Sequence, residues 1–217
     1  EKDSKAYYYM FNAADAEGVK TMEAVASFLA GRYDGGEHGI VHSWVIANEI
    51  NQNKIWNYLD TADVDYYAQE FERGMRIFYQ AIKSEYANAR VYFSIDHDWN
   101  SNKMASTKYF NARDLVRAFN DAALLHGNYD WGIAIHPYPQ PMTRVNYWSQ
   151  HYDKTPDAEI VSIMNLGVLT DFLGQEEYLD TKGEVRSITI TELGFSSKSG
   201  EKLQAAAFSY CYYITEA

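Results

Sequence analysis

The chain of 217 residues can bury one real core, and it is shorter than the roughly 250 residues that an eight-stranded α/β barrel usually takes. Its formal charge of −11, from 30 acidic and 19 basic side chains, argues against nucleic acid or an anionic membrane surface as a partner and suits a neutral or basic ligand. A single cysteine, Cys211, excludes an internal disulfide and a cysteine-based zinc site, and no apolar run reaches the roughly 18 residues of a membrane span.

The opening Glu1-Lys2-Asp3-Ser4-Lys5 is charged and lacks Met, as in an excised or processed segment, so the absence of a signal sequence says nothing about location. Ala6 to Asn12 is an apolar-aromatic run of strand length. Met22, Val25, Ala26 and Leu29 then recur at helical spacing before Gly31. A second strand, from Val41, closes on Asn48-Glu49. Its polar exit loop, Ile50 to Asp60, carries Trp56 and Tyr58, and Trp56 reads equally as a rim platform or a packing residue. Asp63 is a candidate N-cap for a long helix with the apolar face Val64, Tyr67, Phe71, Met75, Phe78 and Ile82.

Arg90 to Ile95 is the third predicted strand, emptying into Asp96-His97-Asp98-Trp99-Asn100. That loop either lines a ligand cleft, with Trp99 as a stacking platform, or is a helix entry with a satisfied histidine. Asn111, with Asp114 three residues on, predicts a capping box, and Gly127 ends that helix. Trp131 to Ile135 is the fourth strand, and His136-Pro137-Tyr138-Pro139 displays His136 and Tyr138 on a stiff turn. A long loop, Gln140 to Pro156, holds Trp148 and His151. Ile160 to Leu173 reads as helical, Ser187 to Thr191 as the fifth strand ending on Glu192, and Leu203 to Ile214 as a last helical face containing Cys211, a buried structural thiol. Strand–helix alternation repeated about five times, without a linker, predicts one α/β domain over residues 1–217 with a parallel sheet and right-handed crossovers.

Two strands thus deliver a glutamate each, Glu49 and Glu192, to the C-terminal ends where such folds place chemistry. One glutamate at a strand end is ordinarily a solvated loop residue. Two of them, with an His-Pro-Tyr turn between, suit glycosidic hydrolysis with retention, which needs a nucleophilic carboxylate and a protonated carboxyl about 5 Å apart. His136 and Tyr138 can hold Glu192 ionised by hydrogen bonding, and Asn48 can orient a sugar hydroxyl. The aromatic content of 16% suits sugar stacking and a tyrosine-rich core alike.

Asn48-Glu49 after an apolar strand, His136-x-Tyr138 two strands later and Thr191-Glu192-x-Gly194-Phe195 on the next resemble the clan A glycoside hydrolases, in particular the cellulase-like family five. The resemblance implies a (β/α)8 TIM barrel, present here incompletely as about strands three to seven, without strands one, two and eight. It implies Glu49 as the acid/base, Glu192 as the nucleophile, Asn48 as the partner of the sugar 2-hydroxyl, and His136 with Tyr138 lining the catalytic subsite. Asp96, His97 and Trp99 join them as candidate substrate-binding residues. A carbohydrate substrate, no cofactor, no metal and a secreted, periplasmic or cell-surface setting are the matching expectations. A rival reading is a carbohydrate-binding barrel that keeps the cleft and lacks activity. Another is a metal-assisted hydrolase built on Asp96, His97, Asp98 and His136, although no helical His-x-x-x-His pair is present.

Overall fold

The structure, a computed structural model, describes residues 5–101 and 109–216, so the charged opening Glu1 to Ser4 lies outside the described residues. Four of the predicted strands form: β1 (Ser43–Ile46), β2 (Arg90–Ile95), β3 (Trp131–Ile135) and β4 (Ile188–Ile190) make one parallel sheet in the order β1-β2-β3-β4. The register sets Trp44 beside Val91, Val91 beside Trp131, and Ile133 beside Ile188. β3 is buried throughout and β2 beyond Arg90, whereas the edge strands β1 and β4 are only partly covered. That difference is why the two central strands read as continuous apolar runs.

The expected strand Ala6–Asn12 is the exception. It stays outside the sheet and pairs with the loop after β1, where Met10 N donates to Tyr58 O and Tyr58 N to Tyr8 O, each at 3.0 Å. Its Tyr and Phe side chains favour extended backbone but do not select a partner strand, and Tyr7, Tyr8, Tyr9 and Phe11 are all exposed.

Among the described residues, six α-helices connect and cover the strands: α1 (Ala16–Arg32), α2 (Asn53–Trp56), α3 (Val64–Glu85), α4 (Ala112–Leu125), α5 (Gly167–Leu173) and α6 (Glu201–Glu216). Asp63 caps α3 as its position suggests, its Oδ1 accepting from the amides of Asp65 (3.0 Å) and Tyr66 (3.1 Å). Asn111 instead spends its side chain on Asp114, at 3.4 Å, so the expected capping box does not form. The helix expected from Ile160 begins only at Gly167. The preceding backbone is used elsewhere: Val161 N donates to His97 O (2.9 Å) and Ile163 N to Pro137 O (3.0 Å), stitching the loops beyond β2 and β3 together.

Alternation along the strands sorts the two faces. Val91, Phe93, Ile95, Trp131, Ile133 and Ile135 pack with buried side chains of α1, α3, α4 and α5. Within that layer the Phe93 ring lies 4.5 Å from Phe119 and 5.6 Å from Trp131. A smaller cluster, Tyr147, Phe195, Ala207 and Cys211, fastens α6, and burial pushes the Cys211 thiol up. The opposite face of the sheet carries Tyr92, Ser94, Gly132, Ala134, Ser187 and Thr189, small or polar apart from one tyrosine. Gly132 makes room for that tyrosine: a Cβ there would lie 2.5 Å from Tyr92 Cδ1 and 2.7 Å from the Ser187 carbonyl. Tyr92 Oη then reaches Ser187 Oγ at 3.0 Å across the glycine.

Candidate active site

Past the end of β1 the chain turns sharply. Ala47 (φ 63°) and Glu49 (φ 37°) both occupy the left-handed region, which costs an L residue with a Cβ about 1–2 kcal/mol. Neighbouring hydrogen bonds offset that cost. Glu49 N donates to Ser94 Oγ (2.6 Å), Ile50 N to Ser94 O (2.9 Å), and the buried Tyr67 hydroxyl donates to Ile50 O (2.7 Å). The turn carries the Glu49 side chain across the end of β2 towards β3.

The loop that follows is polar in sequence and buried in fact. Asn51, Gln52, Asn53 and Asn57 are all buried, and so is Asp96 at the end of β2. Asp96 accepts from Asn51 Nδ2 (2.6 Å), Gln52 Nε2 and the Asp98 amide (2.8 Å), while its own amide donates to Asn51 Oδ1 (3.0 Å). This two-way clamp ties the Glu49 loop to β2. Asp96→Ala would orphan two buried amide donors. We expect it to lower unfolding stability by about 3 kcal/mol, read by denaturant titration, each lost charged acceptor counting ~1.5 kcal/mol or more.

His136 follows β3 and Thr191 follows β4, so the parallel register sets them side by side at the rim of the sheet. His136 Nδ1 lies 2.8 Å from Glu49 Oε1 and 3.7 Å from Glu192 Oε2, and Nε2 lies 3.2 Å from Thr191 Oγ1. With a carboxylate on Nδ1, this network assigns the N–H to Nδ1 and makes Nε2 the acceptor of the Thr191 hydroxyl. Tyr138, two residues on, donates its hydroxyl to Glu192 Oε1 at 2.8 Å. Burial, reinforced by the Glu192 and Glu49 carboxylates, pushes the Tyr138 hydroxyl up to about 12, so it stays a donor throughout ordinary assay conditions.

The two carboxyls sit differently. Glu49 is 17% exposed and takes a second hydrogen bond at Oε2, from Trp56 Nε1 at 2.8 Å, whereas Glu192 is 52% exposed. One oxygen of each and one His136 nitrogen lie within 4.8 Å of one another. Such a set can also hold a divalent cation, and it is the only such group found among the described residues. The rival metal set of Asp96, His97, Asp98 and His136 is not among the groups so assembled in the described residues, and the amide clamp occupies both Asp96 oxygens.

Of the expected residues, Glu49, His136, Tyr138 and Glu192 come together, with Asn48 half-buried beside Glu49. His97 stands off at 2.9 Å from Gln140 Nε2, on the loop beyond β3. Trp99 is buried, edge-on to Phe172 with ring centroids 5.0 Å apart, so it packs the core and offers no open face as a platform. Trp148 packs edge-on to Tyr147 and Tyr210, against α6. The partners that sequence reasoning left unassigned are Thr191, which alternation places on the His136 face, and Ser94 and Trp56. Nothing in their spacing marks the last two as neighbours of Glu49.

Fold and site together define a parallel α/β domain with a histidine-bridged carboxylate pair at the C-terminal rim of its sheet. The chain belongs to a family of unknown function, DUF5722, whose model matches residues 1–217. No curated protein matches it. Among solved structures it is similar to the Ignisphaera aggregans GH53 catalytic domain, at 14% identity and a TM-score of 0.37, over 82% of this chain and 55% of that one. The chain thus spans about half the length of that structure.

Proposed function

We propose that the protein is a retaining glycoside hydrolase acting on a β-linked polysaccharide or oligosaccharide, with this chain forming part of the wall of a (β/α)8 barrel. The observation that carries the reading is the approach of Glu49 and Glu192 to within 4.8 Å across two intervening strands. Retaining enzymes hold their carboxyls about 5–5.5 Å apart, and inverting enzymes about 6.5–9.5 Å apart to admit a water. The small, polar second face of the sheet suits the lumen of a barrel whose helices lie outside.

In this mechanism Glu192 Oε2 attacks the anomeric carbon while Oε1 stays bonded to the Tyr138 hydroxyl. Glu49 gives its proton to the leaving glycosidic oxygen, and the carbon–oxygen bond breaks. Water, deprotonated by Glu49, then attacks the same carbon and releases Glu192. Two inversions give net retention. Asn48 hydrogen-bonds the sugar 2-hydroxyl, and His136 keeps the two carboxyls in register.

The test is the anomeric configuration of the first-formed product, followed by proton NMR with the full-length protein on a panel of aryl β-glycosides and β-linked oligosaccharides. Retention is the expected result; an inverted product overturns the mechanism, and sugar binding without turnover favours the non-catalytic barrel. The cation-sized Glu49, His136 and Glu192 set supports a second reading, metal-assisted hydrolysis. Activity that survives exhaustive chelation excludes it, and activity lost and then restored by a divalent cation would favour it.

A further inference from the structure

Trp56 lies on α2, seven residues beyond Glu49, and its indole N–H donates to Glu49 Oε2 at 2.8 Å. The ring is held from the other side by Tyr8, with centroids 5.6 Å apart and planes 23° from parallel. An indole N–H donates and never accepts. Each Glu49 oxygen thus receives an N–H at 2.8 Å, Oε2 from Trp56 and Oε1 from His136 Nδ1. His136 Nδ1 in turn lies 3.7 Å from Glu192 Oε2.

Resting on the retaining reading above, we propose that Trp56 is a positioning residue that fixes the Glu49 carboxyl and stabilises the carboxylate left when its proton departs. In the first step the Glu49 O–H bond breaks, the proton passes to the leaving glycosidic oxygen, and the electron pair stays on the Glu49 carboxylate. Two preorganised N–H groups, from Trp56 at Oε2 and His136 at Oε1, meet that developing charge. Tyr8 contributes by stacking on the indole and holding the ring in place. Sequence gives no hint of this, because an isolated tryptophan in a rim loop reads equally as a platform or a packing residue.

Two measurements on the full-length protein test the proposal. The first needs no activity. In protein carrying 15N-labelled tryptophan, the indole resonance that disappears in Trp56→Phe is expected to move upfield in Glu49→Ala. An unmoved resonance shows that the hydrogen bond is absent and overturns the proposal while leaving the hydrolase reading intact. The second compares leaving groups. Trp56→Phe, which keeps the ring and removes the donor, is expected to slow an alkyl glycoside about 10- to 100-fold, the range of one hydrogen bond to a charged group. A dinitrophenyl glycoside, whose leaving group needs no proton, should slow by no more than about threefold, since acid assistance adds little there. Equal losses on both substrates point to simple misfolding of the loop and overturn the proposal, as does no loss on either. If the wild type turns over no glycoside at all, the hydrolase reading falls and this proposal with it.

Discussion

Glu192→Ala in the full-length protein is expected to lower kcat on a β-glycoside by about 10⁴-fold or more, because removing a nucleophile removes the whole covalent route. The protein should remain folded, since Glu192 is half exposed and its side chain accepts from the Tyr138 hydroxyl at the rim and not from a buried core group. Sodium azide should restore turnover of an activated aryl glycoside. The small anion fits the space left by the side chain and attacks the anomeric carbon from the face opposite the leaving group. A single displacement of this kind is expected to give a glycosyl azide of inverted configuration. Gas-free detection by NMR of that single anomer would identify Glu192 as the nucleophile. Undiminished hydrolysis by Glu192→Ala, or an azide adduct of retained configuration, would overturn the assignment.

How much of this was legible in the sequence depends on the kind of signal each element carries. β2 and β3 are buried on both faces, so their runs of Val, Tyr, Phe, Ile and Trp announce strands whatever their neighbours. The same argument fails for Ala6–Asn12, where aromatic residues favour extended backbone and the choice of partner rests on contacts that no local pattern records. The helix expected from Ile160 failed for a related reason: apolar spacing continues through Ile160 to Ile163, but the Val161 and Ile163 amides are bonded to the rim loops. The two glutamates, His136 and Tyr138 could be placed because each lies within three residues of the end of a strand, and strand ends converge on one rim. Asp96, also at a strand end, looked like a ligand contact and is a buried clamp, because Asn51 and Gln52 arrive from another loop to take its oxygens. Trp56 and Trp99 both read as possible stacking platforms, and the first touches a carboxyl while the second packs the core. Tryptophan suits either setting, and only the path of the chain decides.

Glu49→Ala should behave differently from the nucleophile variant, and the contrast separates the two carboxyls. Glu49 is the less exposed of the pair and is flanked by two N–H donors, His136 and Trp56, which on the proposed mechanism would stabilise the carboxylate left after proton transfer. Losing the general acid is expected to cost about 10²- to 10⁴-fold on glycosides with poor leaving groups. A dinitrophenyl glycoside needs no proton, so its first step should proceed and leave the sugar on Glu192. The second step lacks its base, and the glycosyl-enzyme should accumulate, giving a burst of dinitrophenol followed by slow turnover. Azide needs no base to attack that intermediate, so it should accelerate the slow phase and yield a glycosyl azide of retained configuration. The two variants thus differ in the handedness of one product. If Glu49→Ala gave the inverted azide and Glu192→Ala the retained one, the roles would be exchanged, and the hydrogen bonds from His136 and Trp56 would then serve a nucleophile. In that case the same N–H groups would hold back the attack rather than promote departure, so the leaving-group test on Trp56→Phe would reverse as well.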